Sequence, residues 1–289
     1  MSTAGEYLAL TKPRLLPLVL FSGLPALVMA QGRWPSFELA ALTLLGTALA
    51  AGAANALNSY LERDRDAQMV RTRTRPLPSG KLDPQRALAF GLALGALGTL
   101  VLWAAAGSAA ASIALAAILF YVFVYTLWLK PRTPFAVVVG GVSGAIAPLI
   151  ADAAVNGQVS AAGWLLFSII FIWQPPHFYA IALFHRDDYA EAQFPMLHDR
   201  IGEDATRRRI VYWILALLPV TLAPYALGML GAGYALVAGA LGLWFLGQAL
   251  VLLRRRDRAS ARRTFLVSLA YLLGTFAAMI ADLLYRTMA

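Results

Sequence analysis

Residues 38–61 read ELAALTLLGTALAAGAANALNSYL, and this stretch decides the fold class. Glu38 is its only charged residue, and its length falls within the roughly 17 to 25 residues that a helix needs to cross a bilayer. Apolar stretches of similar size recur along the whole chain of 289 residues. We therefore predict an all-α integral membrane protein.

Composition excludes several classes of protein. Hydrophobic residues make up 60% of the chain and charged residues 13%, whereas a soluble domain carries about 25% charge. The net charge of +9 comes from basic residues that sit between apolar runs, which indicates a membrane partner and no nucleic acid. The chain has no cysteine, so any metal must bind to oxygen or imidazole.

The apolar runs predict nine transmembrane helices within one membrane domain that covers residues 1–289. The first run also resembles a signal peptide, because Val-Met-Ala before Gln31 could serve as a cleavage site. Loss of that run would remove one span and leave the orientation of the others unchanged. Charged residues, Pro and Gly delimit the nine spans near 14–31, 38–61, 86–107, 109–129, 134–154, 161–184, 210–228, 230–253 and 262–285.

The positions of Lys and Arg predict the orientation in the membrane. With nine spans, 22 of the 24 basic residues fall on one side of the membrane, and only Arg33 and Arg286 fall on the other. Since cytoplasmic loops carry the excess of positive charge, we expect the N-terminus and the long polar segments to lie in the cytoplasm. Arg is far more frequent than Lys, which is typical of GC-rich bacteria, so we expect a bacterial inner membrane. The Arg-rich run at 254–258 is interpreted as a membrane-surface anchor.

The end of the second span carries a polar face. On one continuous helix, Asn55, Asn58, Glu62 and Asp66 fall within about 80° of one another. Asp64 lies roughly opposite Asp66, so we assign it to the solvated or Arg-paired side. Four such side chains are costly to bury in an apolar span without a partner. Hard oxygen ligands favour Mg²⁺ as that partner.

Basic residues follow this face immediately. Arg71, Arg73, Arg75 and Lys81 can contact phosphate, the arginines through two parallel hydrogen bonds. Carboxylates, a metal and arginines together predict a diphosphate site. The alternative is a solvated helix end that is followed by an ordinary cytoplasmic loop.

The sixth span ends in a second polar group. Pro175 and Pro176 are expected to break or kink this helix. His177 is deep in the span and fits either a ligand contact or a hydrogen bond between helices. Asp187 and Asp188 are candidates for a second metal-binding group.

Taken together, these segments resemble the UbiA-type intramembrane prenyltransferases and, within them, the haem O synthases. The motif around residues 58–66 is shared across the superfamily, whereas the segments at 173–178 and 186–189 favour haem as the acceptor. The resemblance covers nearly the whole chain and rests on Leu-Thr-Lys-Pro-Arg at 10–14, Asn58-x-x-x-Glu62-x-x-x-Asp66, Met69-Val-Arg71-Thr72, Arg75-Pro76-Leu77, Leu129-Lys130-x-Arg132-Thr133-Pro134, Gly140-Gly141-x-x-Gly144-Ala145 with Pro148, Trp173-Gln-x-Pro-His177-Phe178 and Arg186-x-Asp188-Tyr189.

The resemblance implies nine helices around a central cavity and a reaction that joins farnesyl diphosphate to a vinyl group of haem B. It implies haem O and diphosphate as products, Mg²⁺ as cofactor, and His177 as a contact to the haem. The implied catalytic residues are Asn58, Glu62, Asp66 and Asp188, with Asp187 as a further metal ligand. The implied diphosphate-binding residues are Lys12, Asn55, Arg71, Arg75, Lys130, Arg132 and Arg186.

Departures from the family pattern leave alternatives open. Members with aromatic acceptors carry two Asp-x-x-x-Asp motifs, whereas this chain has Glu62-x-x-x-Asp66 and an irregular Asp187-Asp188-Tyr189. The number of metal ions is therefore open. Possible further partners are haem A synthase or assembly factors of terminal oxidases. A quinone-precursor or chlorophyll-like acceptor is the rival within the family, and a membrane transporter is the rival outside it.

Overall fold

The computed structural model of the chain is helical. It contains helices and turns, and no strand occurs within the ranges that it describes, which confirms the all-α prediction. The described residues are 3–14, 16–29, 31–70, 72–186 and 196–288.

Twelve α-helices and one π-helix are found in the described ranges. The π-helix π1 directly continues α5, and the short α4 directly follows the end of α3. The helices are α1 (Thr3–Leu10), α2 (Leu16–Met29), α3 (Phe37–Leu61), α4 (Arg63–Asp66), α5 (Pro84–Leu119), π1 (Phe120–Leu129), α6 (Ala136–Gly144), α7 (Ala147–Asn156), α8 (Ala161–Phe184), α9 (Leu197–Ile201), α10 (Glu203–Ala226), α11 (Ala232–Arg255) and α12 (Arg258–Met288).

Six of the described helices are long and apolar enough to cross a membrane, or seven crossings if one bent pair counts as a span. The protein is therefore a multi-pass membrane protein. The predicted number of nine stays a prediction, because α5 and π1 count here as one helix of 46 residues and α2 has only 14. Gly107 interrupts the long helix at a φ of 84°, a backbone conformation that favours glycine.

The span predicted at 134–154 is not one straight helix. The structure has α6 and α7 there, bent by 41° relative to each other. Pro148 lies in the first turn of α7, where its missing N–H leaves no intrahelical bond unmade. α6, which precedes this bend, packs against α8.

Pro175 and Pro176 do not break α8, which continues through both residues, while the alternative of a kink stays a prediction. A proline inside a helix removes one backbone hydrogen bond, so neighbouring helices must hold the segment. In the apolar window of α8, 61% of the residues are buried, more than in any other described span. α8 therefore passes through its two prolines within a largely buried segment.

Close contact between α3 and α5 depends on small residues. A methyl group added at Gly98 would lie 2.8 Å from the backbone nitrogen of Ala50 and 3.0 Å from the carbonyl oxygen of Gly46. Backbone atoms cannot move aside as a side chain can. Small residues thus let these two apolar helices approach closely enough for van der Waals contact to hold them together.

We predict that Gly98→Ala destabilises the protein by about 1 to 3 kcal/mol, because the added methyl group forces α3 and α5 apart. Thermal unfolding in detergent measures the effect as a lower Tm. Gly247→Ala is the matched control, since nothing lies within 4 Å of its added carbon in α11. A Tm for Gly98→Ala equal to that of Gly247→Ala would contradict the close contact.

Candidate active site

One cavity of about 420 Å³ contains most of the predicted site residues. Its walls come from α2, α3, α4, α5, π1, α6, α7 and α8 and from adjoining turns. The charged and amide side chains include Lys12, Asn58, Glu62, Asp66, Arg75 and Lys130. The hydrocarbon side chains include Leu16, Val19, Ala54, Ala117, Ile118 and Ile150.

The polar face at the end of α3 forms, although not on one continuous helix. α3 ends at Leu61, and Glu62 has φ −96° and ψ 2° before α4 begins. The expected single helix is therefore corrected to two helices. The four-residue hydrogen-bond spacing survives the bend, because Glu62 N donates to the Asn58 carbonyl at 2.9 Å and Asp66 N to the Glu62 carbonyl at 2.8 Å. For this reason all three side chains still reach the cavity.

Each buried carboxylate of this face contacts a cation from elsewhere in the chain. Lys130 Nζ lies 2.7 Å from Glu62 Oε2 and 2.6 Å from Oε1. Only the contact with Oε2 has hydrogen-bond geometry, and Oε1 accepts no hydrogen bond. Arg75 Nη1 donates to Asp66 Oδ2 at 2.7 Å. Both buried carboxylates thus lie beside a positive charge.

Lys12 approaches the same end from the turn between α1 and α2. Its Nζ donates to Asn58 Oδ1 at 3.0 Å, while Asn58 Nδ2 donates to Thr126 Oγ1 at 3.2 Å. Burial, together with the positive charges of Arg75 and Lys130, lowers the pKa of Lys12 to about 8. A bound anion would therefore stabilise the charged ammonium form of Lys12.

The pKa of Lys130 is shifted in the opposite direction. Burial lowers its pKa, but Tyr125 and the Glu62 carboxylate raise it by more, so the pKa of Lys130 lies above its usual value. The two lysines of the cavity consequently differ in how firmly they hold a proton.

Asn55 also lines the cavity, yet its amide bonds to the backbone. Asn55 Nδ2 donates to the Thr11 carbonyl at 3.2 Å, which ties the turn that carries Lys12 to α3. Asp64 is 83% exposed and lies 3.7 Å from Arg63, so its predicted assignment to the solvated, Arg-paired side is confirmed.

Three predicted site residues are not found at this cavity. Arg132 Nη1 donates to the carbonyl oxygens of Leu127 and Trp128, at 3.2 and 2.8 Å, and so caps the end of π1. Arg186 pairs with Glu203 at 2.7 Å and lines a second, smaller cavity of about 200 Å³.

His177 is the third of these residues, and it packs between α8 and α12. Its Nδ1 lies 2.7 Å from Ser268 Oγ, and its ring stacks on Trp173 with centroids 4.4 Å apart. The side chain of His177 does not line the described cavity, and its predicted contact with haem stays a prediction. Gln174, Phe178 and Ile181 form the stripe of α8 that does line it.

Three other predicted residues, Arg71, Asp187 and Asp188, lie outside the described residues. Within the described ranges, no group of three or more His, Asp or Glu side chains is arranged to hold a metal ion. Glu62, Asp66 and Asn58 are the oxygen donors that the cavity supplies for one.

Sequence reasoning gave no role to Gln174, Thr126 or Tyr125, although the first was quoted within a motif. Gln174 and Tyr125 line the cavity, and Thr126 holds Asn58. Gln174 could have been singled out as an amide within an apolar span. Tyr125 could not, because the π-helix that turns it toward Lys130 has no clear sequence signal.

Comparisons with known proteins agree on the family. A family model described as the UbiA prenyltransferase family matches residues 19–277. Proteins named protoheme IX farnesyltransferase from Bradyrhizobium diazoefficiens, Acidiphilium cryptum and Gloeobacter violaceus are 43%, 44% and 45% identical to this chain. The alignments cover 99%, 97% and 97% of this chain and 92%, 91% and 92% of those proteins.

Solved structures show the same fold at lower sequence identity. A structure of digeranylgeranylglyceryl phosphate synthase superimposes with a TM-score of 0.83 at 17% identity, over 99% of this chain and 100% of that one. A UbiA homologue from Archaeoglobus fulgidus bound to GPP and Mg²⁺ gives 0.65 at 17% identity, over 95% and 99%. The expected resemblance is confirmed, and the chain belongs to the UbiA prenyltransferase family.

Proposed function

We propose that this protein transfers the farnesyl group of farnesyl diphosphate to a vinyl group of haem B, which yields haem O and diphosphate. The observation that carries the proposal is one cavity that joins a charged end to a hydrocarbon wall, as a prenyl diphosphate requires. The relatives named protoheme IX farnesyltransferase support haem as the acceptor, because they are 43% to 45% identical over nearly the full chain.

The charged end suits the diphosphate. Lys12, Arg75 and Lys130 supply three cations around it, and hydrogen bonds from cations to phosphate oxygens are stronger than neutral ones. Charge develops on the leaving diphosphate as its bond to the allylic carbon breaks. Cations already in position stabilise that charge without rearrangement.

Mg²⁺ fits the donor set at the same end. The buried Glu62 Oε1 accepts no hydrogen bond, and Asp66 and Asn58 line the same cavity with further oxygen atoms. These are hard ligands of the kind that Mg²⁺ prefers when it also binds phosphate. The metal would neutralise charge on the leaving group, while Asp187 and Asp188 remain candidates for additional ligands.

The hydrocarbon wall suits the farnesyl chain and protects its cation. Alanines such as Ala54 and Ala117 leave width for the chain, and Ile118 and Ile150 contact it with aliphatic groups. Such a wall offers water few hydrogen bonds, so it disfavours premature capture of the allylic cation by water.

We place the charged end at the cytoplasmic face of a bacterial inner membrane. The distribution of Lys and Arg along the chain supports this orientation, and diphosphate substrates are made in the cytoplasm. Possible transfer of the product to haem A synthase or oxidase assembly factors would then occur within the same membrane.

Membranes that contain this protein are expected to convert haem B and farnesyl diphosphate to haem O when Mg²⁺ is added. Chromatography with mass detection measures the product, and membranes without the protein are the control. If haem B stays unchanged while 4-hydroxybenzoate is prenylated, the acceptor belongs to quinone synthesis and the proposal is wrong.

Asp66→Asn is expected to lower farnesyl transfer by about 100-fold or more, because the amide loses the charge that binds a metal and pairs with Arg75. Asp64→Asn is the matched control: it removes a carboxylate two residues away that is 83% exposed. The rate of haem O formation at saturating Mg²⁺ measures both. Equal losses in the two variants would show that Asp66 has no special role.

The kcat/KM for farnesyl diphosphate is expected to fall as pH rises through about 8, where free Lys12 loses its proton. Below that pH the ammonium group is present and binds the diphosphate; Lys130 stays protonated because its pKa is raised. Lys12→Arg is expected to remove this fall, since a guanidinium stays charged. The same alkaline fall in both proteins would exclude Lys12 as its source.

A further inference from the structure

We propose that Gln174 holds the water molecule that ends the reaction by adding as the hydroxyl group of the product. The inference rests on the proposed transfer of farnesyl to haem, and it assigns a role that the charged end of the cavity does not explain. It concerns the wall that α6 and α8 form together.

The first observation is a buried amide with an unused oxygen atom. Gln174 is only 5% exposed and lines the cavity. Its Nε2 donates to the Gly141 carbonyl at 2.8 Å. Because a carbonyl oxygen can only accept, this bond fixes which side of the amide is nitrogen and which is oxygen. No donor among the described residues bonds to Oε1.

The second observation is a glycine surface shaped around that amide. A methyl group at Gly144 would lie 2.6 Å from Gln174 Oε1, and one at Gly141 would lie 3.4 Å from Nε2. A side chain at Gly144 would therefore displace the carboxamide, whereas one at Gly141 would only contact it. The Gly140-Gly141-x-x-Gly144 motif and Gln174 therefore form one structural unit.

The third observation is a second unpartnered polar group on the same wall. Ser143, which also lines the cavity, has a buried hydroxyl with no hydrogen-bond partner in the described part of the chain. Buried water typically occupies a place where it can satisfy polar groups that the protein leaves unpaired. Gln174 Oε1 faces the cavity and provides the acceptor for such a water, whereas the Ser143 hydroxyl is an unpaired polar group enclosed within the same wall.

The reaction needs one positioned water molecule, which adds to the cation that remains after the new carbon–carbon bond forms. The bond between farnesyl C1 and the diphosphate oxygen breaks, and the diphosphate leaves with both electrons. C1 then bonds to the terminal vinyl carbon, which leaves the positive charge on the inner vinyl carbon. The water oxygen adds to that carbon, and the proton of the water passes to the released diphosphate.

Gln174 acts in this step as a water-positioning residue. An amide oxygen accepts a hydrogen bond from the water and turns the lone pair of the water toward the cation, but it does not take the proton. Without a positioned water, the cation loses a proton from the neighbouring carbon and forms an alkene. The competing product therefore lacks the hydroxyl group and differs from haem O by one water.

The test compares the two farnesylated products in mass spectra of reactions with haem B, farnesyl diphosphate and Mg²⁺. Wild type is expected to form almost only the hydroxylated product. Gln174→Leu is expected to raise the ratio of dehydrated to hydroxylated product by about tenfold, the scale of an orientation effect. Gln248→Leu is the matched control, a glutamine of α11 whose amide contacts the Ser260 carbonyl at 3.5 Å.

Gly144→Ala provides a second variant that leaves Gln174 in place and displaces its oxygen atom. It is expected to raise the same ratio, and it decides the matter if Gln174→Leu fails to accumulate in membranes. An unchanged ratio in the variants that form product would overturn the role of Gln174, as would a wild type that forms mainly the alkene. Absence of any farnesylated haem from wild type is a separate result, which would refute the proposed function itself.

Discussion

The pairing of two buried carboxylates is the constraint on which this structure depends. Glu62 and Asp66 are only 7% and 6% exposed, and a charge removed from water is costly unless an opposite charge lies beside it. Their partners come from two other segments: Lys130 from the end of π1 and Arg75 from the loop before α5. The need to neutralise two charges therefore ties the end of α3 to two other segments and closes one end of the cavity.

The same balance explains how the site can accept highly charged substrates. Three cations, Lys12, Arg75 and Lys130, stand against two carboxylates at that end. A diphosphate and a divalent cation add charges of both signs, so the site stays near neutrality when both bind. Glu62 and Asp66 would then exchange a side-chain cation for the metal as their partner, and Lys130 and Arg75 would be available to phosphate oxygen atoms. Such an exchange keeps every buried charge paired throughout the cycle.

Sequence reasoning succeeded where spacing along the chain determines geometry. Asn58, Glu62 and Asp66 were expected together because they are four residues apart, and the helical hydrogen bonds maintain that spacing across the bend at Glu62. Spacing along the chain does not determine which neighbouring helix a side chain faces. The three residues from Gln174 to His177 rotate the side-chain direction by about 60°, which is enough to turn His177 toward α12 while Gln174 faces the cavity. The position of a residue around its own helix does not show which neighbouring helix its side chain faces.

Two tasks, binding of the diphosphate and control of water, fall to different parts of the structure. The ends of α3 and π1 carry the charges that a leaving diphosphate requires, and every prenyltransferase that ionises such a substrate needs them. What distinguishes a reaction that ends in hydration is control of water after the new bond forms. A wall without polar groups would exclude water altogether, whereas a polar wall would admit it too early. The buried amide of Gln174, held by Gly141 and close to Gly144, is expected to meet both demands, because its oxygen atom offers water a defined acceptor. The specificity for the final step is thus expected in α6 and α8, apart from the residues that bind the diphosphate.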